Sequence, residues 1–427
     1  MNKKKKVKLK KKNVGRLLIA IGIILLIVAA VFITLYVLKE INGDEKYLKI
    51  ELNGDSEITI KYTDTYEDLG AKASYKDEDL TANIEKSNDY AAGRVGTYLF
   101  TYKIKYKKQE KEIKRTVKVI DDEKPTIKLK GREDLSLVVG TEYRELGASA
   151  SDTYDGDLTD KIEVDKSNFD INTVGTYKVK YIIKDSSGNE NFVERDVKVV
   201  PKPPENQKIP VLNYHFFYED KSEKCNQSIC LKMDKFREQL QYLKDNDFYT
   251  LTIQEFVSWM YGEIELPEKS VLLTVDDGNF GTSTINGNHL IPALEQYKIH
   301  ATLFLITGWW PIGYYQSPYL DIQSHTHELH YEGIKGCAYR SKVNCISYDE
   351  LVKDLKNSLE VVQDSSSFCF PYYEYTNTSL KAVKDVGFKA SFIGGFRKAS
   401  RSDDKYKIPR LVIYDSTSLA TFKSYVN

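Results

Sequence analysis

A run of 22 residues without a charge, Leu17–Leu38 (LLIAIGIILLIVAAVFITLYVL), sets the first constraint on this chain. As an α-helix it spans ~33 Å, enough for a hydrocarbon core of about 30 Å. A cleavable secretory signal has a shorter apolar core, about 7–15 residues, ending at small residues. This run ends instead in Tyr36-Val37-Leu38-Lys39. Residues 1–16 hold eight lysines and Arg16 and no acid. The positive-inside rule then predicts a cytoplasmic basic tail over 1–16 and a single-pass signal-anchor helix over 17–38, with everything beyond it outside the cell membrane. The zero net charge of the 427 residues hides this segregation: beyond the tail, 53 basic face 62 acidic side chains. A nucleic-acid binder would concentrate positive charge on a folded domain, so no nucleic-acid partner is expected.

An exterior location permits disulfides. Of five cysteines, Cys225 and Cys230, and Cys337 and Cys345, are close enough in sequence to suggest two local bridges, with Cys369 left over. There is no Cys-x-x-Cys pair, which argues against a zinc ribbon.

Residues 45–200 contain an internal repeat. Tyr66–Ala73 (YEDLGAKA) returns as Tyr143–Ala150 (YRELGASA), Val95–Tyr98 as Val174–Tyr177, and Thr116–Val119 as Asp196–Val199. The offsets are 77, 79 and 80 residues. Runs such as Tyr98–Tyr106 and Tyr177–Ile183 alternate polar and apolar residues between Gly, Asp and Asn turns, the pattern of a β-sandwich. The units, 45–121 and 122–200, resemble the bacterial immunoglobulin-like repeats of surface proteins. The second matches better, through Asp152–Thr159 (DTYDGDLT) and Asp185–Asn189 (DSSGN). Clustered carboxylates in such a turn could bind a hard cation such as Ca²⁺, but Asp/Gly clusters are more often simply turns. Spacing is the expected job of the repeats, with surface protein or glycan contacts as a further role.

Pro201–Pro204 opens a Pro-rich linker over 201–208. From Ile209 onward, strand-like runs alternate with helical ones: Ile209–Tyr214, Met233–Asn246, Ser270–Val275, Ile291–Lys298, His300–Ile306, Tyr348–Gln363, Ser379–Gly387 and Phe388–Ile393. That alternation over 209–427 predicts an α/β fold with mainly parallel strands, a distorted β/α barrel whose site lies at the C-terminal strand ends. The whole is therefore multidomain: a transmembrane helix, two all-β sandwiches and an α/β domain.

Three signals sit where such a site belongs. Thr274-Val-Asp-Asp-Gly278 follows an apolar strand; adjacent carboxylates there are costly unless their charge is used. Ser324-His-Thr-His-Glu-Leu-His330 holds three of the six histidines, and His is the commonest metal ligand. It is not the His-Glu-x-x-His of a zinc-protease helix, being one residue short. Phe368-Cys-Phe-Pro-Tyr-Tyr373 is an aromatic run at a strand end. In this order, with Ile209–His215, Ile299–Ile306 and Leu380–Phe388 around them, the three resemble the polysaccharide deacetylases, carbohydrate esterase family 4 with its nodulation-deacetylase homology domain.

That resemblance implies hydrolysis of acetyl groups on a sugar polymer with a divalent metal, Zn²⁺ first, with Fe, Co or Ni compatible with a two-His, one-carboxylate site. It makes Asp276 the general base and Asp277 a metal ligand. The five-residue spacing of His325 and His330 is similar to the poly-N-acetylglucosamine deacetylase branch and makes both ligands, with His327 outside the metal's first sphere. The third motif's usual Arg is absent here; Arg410 is the candidate to orient the base in its place. No His follows His330, so His215 is the candidate general acid, as in the permuted branch. Pro371, Tyr372 and Trp309 are candidate substrate contacts, because rings stack on sugar faces. The expected function is a membrane-anchored extracellular N-deacetylase of an N-acetylglucosamine polymer, poly-N-acetylglucosamine or peptidoglycan. The alternative, favoured by the missing Arg, is a catalytically impaired cell-surface glycan-binding or adhesion protein on the same fold; a third reading gives the work to the sandwich repeats.

Overall fold

The computed structural model describes residues 3–45, 47–219, 228–278, 289–332 and 335–427. The chain forms two compact units, one of residues 1–125 with 151–157 and 184–190, the other of residues 126–150, 158–183 and 191–427.

The first unit begins with a single helix, Lys3–Glu45. Within it Gly15–Lys39 is long and apolar enough to cross a membrane, and none of that stretch is buried. The first repeat follows as two facing sheets. One pairs Leu48–Leu52 with Ala71–Tyr75 and Glu78–Asp79; the other runs Glu57–Lys61, Gln109–Ile120, Gly96–Tyr106, Glu85–Asn88. Strand period explains the burial: in Gly96–Tyr106 the alternate residues Phe100, Tyr102 and Ile104 face inward. Glu57–Lys61 pairs parallel with Thr116–Ile120 and so closes one edge of its sheet.

The second repeat follows the same plan, with a four-stranded sheet in the order Glu163–Asp165, Gly175–Lys184, Glu190–Val200, Asp134–Val138, the last pair again parallel. Each repeat buries one arginine completely. Arg115 donates to the carbonyls of Asn53 (2.6 Å) and Asp55 (2.9 Å) and to Asp68 Oδ1 (3.1 Å), while the Tyr102 hydroxyl donates to the same Asp68 oxygen. Arg195 donates to the carbonyls of Lys130 (2.8 Å) and Gly147 (3.0 Å) and to the Tyr181 hydroxyl (3.3 Å), which in turn donates to Glu145. The two acid–Tyr–Arg triads are offset by 77, 79 and 80 residues, the offsets of the sequence repeat. The repeated Leu-Gly-Ala segments thus carry the carbonyls that each arginine satisfies, at Gly70 as at Gly147.

In the second unit the second repeat is joined to the C-terminal domain by Arg132. It is buried, donates to Thr250 O (2.7 Å) and Glu255 Oε2 (3.0 Å), and lies 4.1 Å from the centre of the Tyr249 ring. The C-terminal domain is built on an open sheet in the spatial order Ala390–Phe392, Ser367–Cys369, Leu320–Ser324, Ala301–Leu305, Ser270–Asp277, Val211–Tyr214, Leu411–Val412, every pair of it parallel. This is a parallel half-barrel. Helices cover it, which is why Ser270–Val275 is buried at every position and reads as an unbroken apolar run. Capping boxes start the helices Ile253–Met260 (Thr252, Glu255) and Tyr348–Val362 (Ser347, Glu350). The expected helices and strands recur within a few residues. Leu320–Ser324, Leu411–Val412, Ile253–Met260 and Leu419–Val426 are additional. The 201–208 segment does not end free of the domain: Gln207 Nε2 donates to Pro267 O (2.7 Å) and Lys208 pairs with Ser400. Cys337 and Cys345 form the expected disulfide and Cys369 is a buried free thiol. The other local bridge involves Cys225, which lies outside the described residues.

If the buried arginine is what each sandwich closes on, Arg195→Met leaves two carbonyls unsatisfied and the Tyr181 hydroxyl without its donor. The second repeat should lose ~1–3 kcal/mol for each stranded carbonyl. Hydrogen exchange should accelerate along Gly175–Lys184 and stay unchanged along Gly96–Tyr106; equal protection in both would show that Arg195 is dispensable.

Candidate active site

The parallel strands end on one cavity of about 570 Å³. Asp276 and Asp277 close the Ser270–Asp277 strand, His215 follows Val211–Tyr214, and His325 follows Leu320–Ser324. Tyr372 and Tyr373 sit on the turn after Ser367–Cys369. All six line the cavity, together with His330 and Trp309. Pro371 does not: it is buried beneath, at the first position of that turn. Its ring fixes the turn that presents the two tyrosines, so its contribution to the wall is indirect.

The backbone at the rim is unusual. Asp277 (φ 79°), Thr326 (79°), Tyr372 (57°) and Tyr373 (63°) all occupy the left-handed region. Non-glycine residues held there cost about 1–3 kcal/mol each and cluster at functional sites. Gly278 (φ 71°) completes the first of these turns; a Cβ there would lie 2.3 Å from Leu305 Cδ1.

Two polar groupings result. In the first, Arg410 grips Asp276 with a two-pronged fork, 2.7 Å to Oδ1 and 2.8 Å to Oδ2. Both side chains are almost fully buried. Arg410 also donates to Thr274 Oγ1 (3.2 Å) and approaches Cys369 Sγ (3.0 Å). Burial alone would push the Asp276 carboxyl up, but the Arg410 charge and hydrogen bonds, with His325 and His215 behind them, hold it below the usual carboxylate range. His215 Nε2 lies 3.8 Å from Asp276 Oδ2 and 3.4 Å from the Tyr373 hydroxyl. That hydroxyl donates to Asn213 Oδ1 at 2.8 Å. Burial pushes His215 down, against the pull of Asp276 and Asp277.

The second grouping is Asp277 with His325 and His330. Asp277 Oδ1 stands 3.3 Å from His325 Nε2 and 3.1 Å from His330 Nε2. His325 Nδ1 lies 2.8 Å from the Cys369 carbonyl. A carbonyl only accepts, so Nδ1 carries the proton and the Nε2 lone pair faces Asp277, the tautomer a metal requires. Burial raises the Asp277 carboxyl, but a proton shared from the His325 or His330 ring, where a metal would otherwise sit, draws it well below the usual range. Two imidazole nitrogens and a carboxylate oxygen, all mutually within 4.8 Å, fit a divalent metal. His327 is elsewhere: its Nδ1 meets Thr307 Oγ1 at 3.0 Å.

Aromatic surfaces flank these groups. The Tyr372 ring lies over His330 (centroids 4.8 Å, 33°), and Trp309 stands edge-on to His330 at 5.9 Å. Arg340 stacks on Tyr372 at 4.6 Å and, with Glu332, lines the same cavity. Sequence reasoning missed Asn213, Tyr373 as a partner of His215, and Arg340. The one available signal for Arg340 was its place inside the short Cys337–Cys345 loop.

The Arg410 fork carries a clear stability signature. Arg410→Met strands a buried carboxylate and should cost ~3–5 kcal/mol. Adding Asp276→Asn removes that charge and should recover a large part of the loss, so the two changes will be far from additive. Thermal denaturation of the full chain checks this; additive losses would mean that the fork is not a stabilising pair.

The geometry agrees with comparison to known proteins. Residues 50–119 and 127–199 match the family described as bacterial surface protein, Ig-like domain, and residues 263–391 match polysaccharide deacetylase. A poly-beta-1,6-N-acetyl-D-glucosamine N-deacetylase of Staphylococcus aureus is 27% identical over 225 residues, covering 48% of this chain and 73% of the relative. Its counterpart in Staphylococcus epidermidis is 29% identical over 201 residues, covering 42% and 66%. Among solved structures, the Streptococcus pyogenes deacetylase PplD in complex with acetate aligns with 52% of this chain and 99% of its own (TM-score 0.45, 22% identity). A polysaccharide deacetylase from Bacillus cereus aligns with 81% and 100% (TM-score 0.42, 15% identity). Residues 263–391 thus carry a match to the polysaccharide deacetylases, an amide-hydrolysing family, behind two stretches that match bacterial surface Ig-like domains.

Proposed function

We propose that this chain is a membrane-anchored, metal-dependent N-deacetylase acting outside the cell on a polymer of N-acetylglucosamine, poly-β-1,6-N-acetylglucosamine before peptidoglycan. The observation that carries the reading is the pairing of two separately wired carboxylates at one strand end: Asp276 in the Arg410 fork, Asp277 between His325 and His330. The names of the staphylococcal relatives support the choice of polymer.

Asp277, His325 and His330 would hold the metal, Zn²⁺ first, with a donor set that Fe, Co or Ni also fits. Such an ion supplies Lewis-acid polarisation of the acetyl carbonyl and a more acidic water. Asp276 is the base that takes a proton from the attacking water. Arg410 keeps Asp276 ionised and fixes its carboxylate plane, so that a proton acceptor is present before substrate arrives. His215 supplies the proton to the leaving amine. Burial lowers its affinity for a proton, so the proton it passes to the amine is the one Asp276 takes from the attacking water, handed across the 3.8 Å between Asp276 Oδ2 and His215 Nε2. Asn213 and His215 are bridged by the Tyr373 hydroxyl, which sets the distance of the ring from Asp276. A backbone N–H near Tyr372 would stabilise the oxyanion of the tetrahedral intermediate. Tyr372 and Trp309 offer faces on which sugar rings stack. The impaired-adhesin reading drew on the Arg missing from the third motif, and Arg410 removes that reason for it.

Acetate release from β-1,6-linked N-acetylglucosamine oligomers, with metal content measured on the same samples, tests the chemistry. His330→Ala should lose both metal and activity, and His327→Ala should keep both. His215→Asn should retain the metal and lose ~10²–10⁴-fold in kcat, the usual range for a general acid or base. Loss of metal in His327→Ala but not in His330→Ala would break the ligand assignment. Anchoring is tested on intact cells: added protease should degrade the 47–427 part and leave a membrane-held N-terminal fragment, whereas full protection would place the enzyme on the other side.

A further inference from the structure

A second cluster of carboxylates lies in the first unit and takes in the first residues of the Asp152 and Asp185 turns. Asp121, Asp152 and Asp185 each have a carboxylate oxygen within 4.8 Å of the others. Their side chains come from the end of the first repeat and from the segments 151–157 and 184–190, and they are 6%, 9% and 7% exposed.

Asp121 and Asp152 are each anchored through one oxygen, Asp185 through both. Asp121 Oδ1 accepts from Glu123 N (3.1 Å), Asp152 Oδ1 from Tyr154 N (2.7 Å) and Asp155 N (3.0 Å), and Asp185 Oδ1 from Asn189 N (2.8 Å). Asn189 Nδ2 then ties Asp185 Oδ2 (2.8 Å) to the Asp121 carbonyl (3.1 Å). That leaves Oδ2 of Asp121 and Oδ2 of Asp152, both buried, accepting no hydrogen bond. Among the described residues no lysine, arginine or histidine pairs with any of the three; Lys61 takes the neighbouring Asp122 instead, at 2.9 Å. Burial and the two neighbouring carboxylates push Asp121 up. Three buried acids without a counter-charge cost several kcal/mol each unless something neutralises them.

The sandwich itself does not require them. By the repeat offsets, Asp152 and Asp185 correspond to Tyr75 and Tyr106 of the first repeat, where the two rings simply pack together at 5.1 Å. The second repeat has acids where its twin has an aromatic contact.

We infer that Asp121, Asp152 and Asp185 form a Ca²⁺ site that ties the end of the first repeat to the 151–157 and 184–190 loops, separate from the deacetylase metal. The donor set is all oxygen and anionic, which suits a hard cation and not Zn²⁺. Ca²⁺ accepts six to eight oxygens in irregular arrangements, so solvent can complete the shell, whereas Mg²⁺ demands a near-octahedral one.

Full-length protein in detergent, stripped with chelator and reloaded with Zn²⁺, should bind one Ca²⁺ with a Kd of ~10⁻⁴–10⁻³ M, the range of extracellular modules. Tb³⁺ should occupy the same site and luminesce through Tyr154, whose ring lies 5.0 Å from that of Tyr62. Asp152→Asn and Asp185→Asn should weaken Ca²⁺ at least tenfold, while Asp277→Ala leaves it unchanged. Hydrogen exchange on the wild-type chain needs no variant: Ca²⁺ should slow exchange in 151–157 and 184–190. Absence of that protection, Ca²⁺ binding that survives both Asn substitutions, or equal protection by Mg²⁺ would overturn the assignment.

Discussion

Two ionised carboxylates side by side in a protein interior are tolerated only if each has its own counterpart, because every unpaired buried ion costs several kcal/mol. Asp276 and Asp277 impose that condition on the C-terminal domain, and the rest of the site is its solution. In a regular strand their side chains would diverge to opposite faces. The left-handed turn at Asp277, backed by Gly278, lets both reach one cavity. Asp276 is then met from below by Arg410 and Asp277 from the side by His325 and His330. The same geometry divides the chemistry: the carboxylate held by a permanent cation is fitted to accept a proton, and the one facing two imidazole nitrogens is fitted to share a metal.

The surrounding residues hold these partners in place. His325 is set by the Cys369 carbonyl, so the strand that carries the aromatic third motif also fixes the tautomer of the second. Arg410 lies beside the Cys369 thiol, and the Tyr373 hydroxyl spans Asn213 and His215. The third motif thus supports all the other parts, although it contributes no charged group of its own. The buried arginines of the two repeats show the same economy on a structural task. One guanidinium satisfies carbonyls distant from it in sequence, and a tyrosine hydroxyl held by an acid lies beside it.

Much of this was legible in the residues. A period of two in Tyr98–Tyr106, the offsets of 77, 79 and 80 residues, and the alternation of apolar strands with helices after Ile209 reflect local backbone geometry, which acts over a few residues and leaves a regular trace. The strand Leu320–Ser324 left no such trace, because Asp321 and Gln323 interrupt its apolar pattern while bonding to neighbouring elements, Asp321 to Ile253 N and Gln323 to Ser367 N. The short strand Leu411–Val412 is too brief to show a period at all.

The sequence by itself determined the kinds of domain, their order and the identity of the groups able to do chemistry, since strand period, repeat offset and the grouping of Asp and His are local properties of the chain. Only the tertiary structure decided which groups meet. Arg410 and Asp276 are 134 residues apart and Tyr373 and Asn213 are 160 apart. His327 and His330 are near neighbours, yet one faces Thr307 and the other Asp277. The three aspartates of the second cluster come from segments more than thirty residues apart, close enough to repel and too buried for water to screen them. Such pairings are set by how sheets stack and strands order themselves, through burial and charge acting across space, and those forces leave no periodic mark along the chain.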